Sequence, residues 1–186
     1  MLPVPALPRK LLTLAFILRE RAAAAAPAAA AEATHPSSGR RSSMQVLMGE
    51  KKRGFGQGKW NGFGGKVEAT DASIAAAAAR EIQEEANVTV REQDLEPRGV
   101  LLFSFESGKE VLEVHVFLTY DFVGEPSESE EMKPQWYDAD DIPFDQMWAD
   151  DSLWLPHVLD GKSVSGHFHF AKDEDTLLEH TFEVSP

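Results

Sequence analysis

The chain has no cysteine among its 186 residues. Disulfides, thiol nucleophiles and cysteine-bound zinc are therefore excluded. Basic residues are scarce as well: 18 stand against 31 acidic ones, a net charge of -13. Such a chain repels polymeric nucleic acid unless its basic residues are segregated, so no nucleic acid polymer is expected as a partner. Long apolar runs are missing too. The run RKLLTLAFIL at 9–18 is too short to cross a membrane as a helix, and no membrane is expected as a partner. Its basic start and the alanines behind it also fit the core of a signal peptide. The preferred reading is a first strand, buried on both faces, with Thr13 turned toward a pocket. No internal repeat is visible. The length suggests one domain over 1–186 with a substantial core, and a hydrophobic share of 42% is ordinary for a globular protein.

What is present concentrates between Gly62 and Val88, GFGGKVEATDASIAAAAAREIQEEANV. A glycine-rich loop leads into an alanine-rich segment that reads as a helix. On that helix Glu81, Glu84 and Glu85 stand at i, i+3 and i+4 and project from one side. With nothing bound, each such pair repels by roughly a few tenths of a kcal/mol. A hard divalent cation reverses that sign, because Mg2+ takes oxygen ligands and shares them with phosphates. Glycines before the helix let backbone groups approach a phosphate or a metal closely. Between Arg40 and Lys66 the sequence carries seven basic residues and one acidic one. That suits a small polyanion such as a triphosphate better than a duplex.

Elsewhere the chain reads as short strands and turns. Arg21 to Ser43 is low in complexity, with Pro27 breaking an alanine run, and is expected to be a disordered insertion between two strands. Met44 to Met48 reads as a second strand, and the glycine-dense run after it as tight turns. Val100 to Phe105 and Val111 to Phe122 read as a hairpin, with Glu113 and His115 on one side of the second strand. Gln135 to Asp138 is a further short strand. Leu153 to Leu159 reads as an apolar helix capped by Ser152 or Asp151 and ended by Gly161. Val164 to Phe170 and Thr176 to Val184 close the chain as a hairpin. Strands dominate and helices are few, so the expected class is α+β, a mixed sheet sandwiched between helices.

The central stretch resembles the Nudix box, G-x5-E-x7-R-E-U-x-E-E-x-G-U with U aliphatic. Gly65 opens it, Arg80 to Glu85 match its core and Val88 closes it. The stretch departs from the pattern in two places. Gly65 to Arg80 is one residue longer than the family spacing, so the mid-loop acid falls on Asp71 or, counted back from Arg80, on Ala72. The late glycine is Asn87, the next-best residue for a left-handed cap. Beyond the box, KKRGFGQGKWNGFGGKVE, EVHVF, SEEMKP and FDQMWADDSLWLP resemble the MutT-homologue branch of the Nudix family. The similarity covers Lys10 to Leu18 and nearly everything from Met44 to Val184.

That resemblance implies a Nudix fold and a Mg2+-dependent pyrophosphohydrolase acting on a small nucleoside triphosphate. The implied substrates carry oxidised purines, 8-oxo-dGTP and 2-hydroxy-dATP among them. The implied protein is a monomer of the cytoplasm, or of mitochondrial, plastid or nuclear pools. Other nucleoside diphosphate derivatives, and a catalytically impaired nucleotide-binding module, stay open as alternatives. Metal binding is implied for Gly64, Glu81, Glu84, Glu85 and Glu131, with Arg80 holding a glutamate in place. Substrate contact is implied for Thr13, Lys51, Phe55, Asn61, Phe63, Gly64, Gly65, Lys66, Phe103, Met132, Trp148, Ala149, Asp150 and Asp151. Asp150 and Asp151 on spacing alone read as a helix cap. Beside Trp148, they also suit a base stacked on the indole with its edge against the acids. Two neighbouring carboxylates in an apolar pocket do not easily both ionise, so one stays protonated near neutral pH.

Overall fold

Strand alternation sets the layout. In β1 (Arg9–Glu20), Ala15 and Ile17 belong to one apolar cluster and Phe16 and Leu18 to another, all buried. A strand buried on both faces needs a layer on each side. The computed structural model describes residues 3–21 and 43–186. Among them, eight strands form one mixed sheet in the order β3-β2-β1-β5-β4-β7-β8, with β6 paired to β2. The other strands are β2 (Met44–Lys51), β3 (Trp60–Asn61), β4 (Glu96–Phe105), β5 (Val111–Thr119), β6 (Met132–Asp138), β7 (Ser163–Phe170) and β8 (Leu177–Ser185). β1 runs parallel to β5, and β4 parallel to β7; the remaining pairs are antiparallel. The alanine-rich insertion expected to be disordered lies, over 22–42, outside the described residues.

One helix covers each face. Helix α1 (Ile74–Ala86) lays Ala78, Ile82 and Ala86 against Ile17, Leu47 and Phe117. Its small alanines let the helix backbone approach the sheet closely. Ser73 caps its start, the hydroxyl accepting from the Ala76 N–H at 2.9 Å. Asn87 ends it in the left-handed region at φ 58°, its N–H donating to the Gln83 carbonyl, so asparagine fills the glycine position as its chemistry allows. Helix α2 (Asp151–Leu159) seats Trp154, Leu155 and Val158 on the opposite face, where Trp154 meets Phe16 edge to face at 6.1 Å. The α+β sandwich expected from the sequence is the observed class.

Two local expectations are corrected. Neither Ser152 nor Asp151 caps α2: the cap position falls on Asp150, which makes no side-chain capping bond, and Asp151 is already helical. The Asp150 side chain turns inward instead, accepting from the Trp154 indole N–H at 2.7 Å. Strand β6 begins at Met132 rather than Gln135, because it pairs with β2 along its whole length, Lys51↔Met132 through Gln45↔Asp138.

Candidate active site

The glycine loop is strapped to β1 as an irregular extra strand. Ala15 N–H donates to the Phe63 carbonyl at 2.7 Å, Thr13 N–H to that of Gly65 at 2.9 Å, and Val67 N–H to that of Leu11 at 3.1 Å. The fit leaves no room for side chains. A Cβ on Gly64 would lie 2.0 Å from the Thr13 carbonyl oxygen, and one on Gly65 would lie 2.6 Å from the Glu81 carboxyl carbon. Gly64→Ala is therefore expected to lower Tm by about 5–10 °C, since backbone rather than a pliable side chain must yield. Differential scanning calorimetry checks this, and an unchanged Tm would contradict the geometry.

α1 brings its carboxylates beneath that loop. Glu85 is 2% exposed, accepts from the Gly64 N–H at 2.9 Å and lies 3.2 Å from the Lys51 ammonium. Burial pushes its pKa up to about 7, against the pull of Lys51. Burial also raises Glu81, which lies 2.8 Å from the Arg80 guanidinium. Glu131, just before β6, is held down by Arg53 at 2.7 Å and shares Lys51 at 3.4 Å. Glu84 is the outlier of the trio, over half exposed and held by Arg80 at 3.3 Å. Arg80 itself is a fork. It grips both oxygens of Asp71 at 2.9 Å and also bonds the Lys66 carbonyl. The mid-loop acid is thus Asp71, not Ala72. That contact draws the Asp71 pKa down to about 2.

Among the described residues no group of three acidic or histidine side chains converges as a ready-made cation cage. The ion pairs account for it: Lys51 bonds both Glu85 and Glu131, and Arg80 engages Glu81. The chemistry of the set nonetheless fits a hard divalent cation. All donors are oxygens, and two of the carboxylates, buried Glu85 and half-buried Glu81, have raised pKa, so added positive charge beside them is favoured.

Beside this acidic end opens a cavity of about 890 Å3. Of the expected contact residues, Thr13, Lys51, Phe55, Asn61, Gly64, Gly65, Phe103, Met132, Trp148, Asp150 and Asp151 line it, and so does Glu131. Three do not. Phe63 is fully buried in the core under α1, because backbone pairing with Ala15 turns its side chain inward. Lys66 borders a separate shallow depression with Arg9 and Glu68, and Ala149 is absent from the wall. The indole of Trp148 is also not bare. Phe55 stacks on it at 4.8 Å and 24°, and Phe170 meets it edge-on at 6.3 Å.

The same wall carries the two acids. Asp151 is 2% exposed and accepts from the Trp148 N–H at 3.1 Å. Burial raises its pKa well above the usual range, and the Asp150 charge adds to that. Burial lifts Asp150 to about 6. Its Oδ2 takes the Trp154 N–H, while its Oδ1 is buried with no partner among the described residues. Asn61 spends its carbonyl on the Gly62 N–H at 2.8 Å and keeps its amide donors.

The wall contains residues the sequence reading passed over: Lys59, Arg53, Phe105 and Phe170. Phe105 was within reach, since alternation places it on the Phe103 side of β4. Phe170 depends on the parallel register Phe105↔Phe170, for which the sequence carries no signal.

Residues 37–158 match the NUDIX domain. The chain is 50% identical over 139 residues to the oxidized purine nucleoside triphosphate hydrolase of Danio rerio, covering 75% of this chain and 86% of that protein. It is 46% identical over 138 residues to that of Mus musculus, covering 74% and 86%. A crystal structure of a MutT protein from Bacillus halodurans superposes with TM-score 0.70 at 26% identity, over 94% of this chain and 97% of that one.

Proposed function

The chain belongs to the Nudix hydrolase family, and from that premise we propose that it hydrolyses oxidised purine nucleoside triphosphates to the monophosphate and pyrophosphate. The observation that carries the substrate class is the acid pair: a buried carboxylate oxygen of Asp150 without a partner, beside a fully buried Asp151, in the wall of a nucleotide-sized cavity. Buried acceptors are nearly always satisfied, so an unpaired one in a cavity wall calls for a donor on the ligand. With one proton shared, the pair offers one donor and one acceptor to a base edge, and Asn61 adds amide donors.

The triphosphate runs toward the other end. Lys51 and Arg53 present cations there, and Gly64 and Gly65 line the same wall. The Gly64 carbonyl, Glu81, Glu84, Glu85 and Glu131 are the groups that would hold Mg2+. When bound, Mg2+ supplies neutralisation of phosphate oxygens and a lowered pKa for a coordinated water. Arg80, anchored on Asp71, fixes Glu81 toward the loop. One of the glutamates accepts the proton as water adds to phosphorus and the α–β anhydride bond breaks, pyrophosphate leaving. Every group named belongs to one chain folded as a single domain, so a monomer suffices. No described helix is long and apolar enough to cross a membrane, and the substrate is a small diffusible nucleotide.

The test is turnover of 8-oxo-dGTP, 2-hydroxy-dATP and dGTP with Mg2+, products resolved by ion exchange. Monophosphate plus pyrophosphate is the expected outcome. Release of inorganic phosphate and a diphosphate would refute the cleavage site.

A further inference from the structure

Lys59 has no place in the chemistry above, yet its surroundings are specific. It is the residue before β3, and its backbone is fixed on both sides: its N–H donates to the Gly56 carbonyl at 3.0 Å and its carbonyl accepts from Lys51 at 2.9 Å. From there its ammonium reaches three groups. Asp175 Oδ1 lies at 2.6 Å, the Met147 carbonyl at 3.4 Å and the ring centroid of Trp148 at 4.8 Å. These belong to two other stretches of chain. Asp175 sits in the turn between β7 and β8, and Met147 and Trp148 form the backbone that leads directly into Asp150 and Asp151. Lys59 is 24% exposed, whereas Asp175 is 60% exposed.

We infer that Lys59 is a positioning residue of the base pocket, anchored by Asp175: it ties the β7–β8 turn to the Met147–Trp148 segment and so fixes the indole and the two acids that follow it. This rests on the base-pocket reading above. The relative weight of the contacts follows from exposure. An ion pair with a mostly exposed partner contributes little, while an ammonium over an indole and on a carbonyl, three-quarters out of water, contributes more. The lysine is therefore the stronger half of the pair. Its charge also opposes the burial that raises Asp151, in keeping with its place beside the acids.

The experiment compares wild type, Lys59→Met, Lys59→Arg and Asp175→Asn. Steady-state kinetics use 8-oxo-dGTP and dGTP with Mg2+. Tryptophan fluorescence titrations use 8-oxo-dGMP and dGMP without divalent metal. For Lys59→Met, KM for 8-oxo-dGTP and Kd for 8-oxo-dGMP are expected to rise about threefold to tenfold, with kcat held within about twofold. Lys59→Arg, which keeps a cation over the ring, restores KM to within about twofold of wild type, and Asp175→Asn shifts it by about twofold. Unchanged KM and Kd in Lys59→Met overturn the inference. So does a fall in kcat with a lowered Tm, which marks a merely structural residue. Wild type that binds 8-oxo-dGMP no better than dGMP removes the base-pocket reading, and the inference with it. A preference in wild type that Lys59→Met keeps in full overturns the inference alone.

Discussion

Glu85→Gln is expected to lower kcat about 10²–10⁴-fold, the range associated with a positioned proton-transfer group, while leaving the metal-free protein at least as stable at pH 8. Two observations set these opposite signs. The carboxylate is almost wholly buried under the glycine loop, held by the Gly64 N–H at 2.9 Å and Lys51 at 3.2 Å. Glutamine has one acceptor oxygen, so it keeps one of these two bonds and gives up the other, as the protonated acid does, while filling the same space. The carboxyl titrates at about 7 in the fold against an ordinary 4.5. Between those values the folded chain keeps a proton that the unfolded chain releases, so this group's contribution to stability is full below about 4.5 and is lost as pH rises to 7. Glutamine has no such loss. The protein thus keeps an acid where an amide is no less stable, which is the mark of a group retained for chemistry. Activity within about tenfold of wild type would remove Glu85 from the catalytic set, and a lowered Tm at pH 8 would contradict the burial argument.

The second large effect falls on substrate choice. Asp151→Asn is expected to lower kcat/KM for 8-oxo-dGTP about 100-fold and for dGTP much less, because a site built to pair a base edge loses most when a buried partner is mismatched. The fold tolerates the change: the asparagine oxygen still accepts the Trp148 N–H that Asp151 accepts at 3.1 Å. Asp150→Asn is expected to act similarly, since the Trp154 indole needs only an acceptor and Oδ1 is the oxygen that lacks a donor. Both acids are raised by burial, Asp150 to about 6 and Asp151 well above its ordinary value of 3.8. Near neutral pH the pair therefore keeps one proton. Wild-type preference for the oxidised base falls as pH climbs through the loss of that last proton, and both asparagine variants flatten the profile. Equal losses on both substrates would assign the acids to stability.

The parts that were legible in the sequence are those set by local periodicity and capping. Alternating Ala15, Phe16, Ile17 and Leu18 announced a strand buried on both faces. Asn87 closed α1 as a left-handed cap, and the 81, 84, 85 spacing placed the carboxylates on one side, whereas the Ser73 cap at its start came only with the structure. The rest depends on distance across the fold. Counting from one end of the box or the other left Asp71 and Ala72 as rivals; the two-pronged grip of Arg80 decides for Asp71. Phe63 shares a short stretch with Gly64 and Gly65, but the strapping to β1 sends its side chain to the core. The stacking of Phe55 on Trp148 needs a turn fold that no spacing encodes, and Lys59 gains its neighbours from two distant stretches, Asp175 from the β7–β8 turn and Met147 and Trp148 from the segment before α2.

The pairing of a phosphate site with an acid-lined base pocket is tested by kcat/KM for 8-oxo-dGTP and 2-hydroxy-dATP relative to dGTP, with Mg2+ and a single enzyme preparation. Both oxidised substrates are expected to exceed dGTP by about tenfold or more, each extra hydrogen bond to a buried acid counting for about one order of magnitude or above. Equal values for all three substrates would contradict it, leaving a phosphate site without the pocket's selectivity.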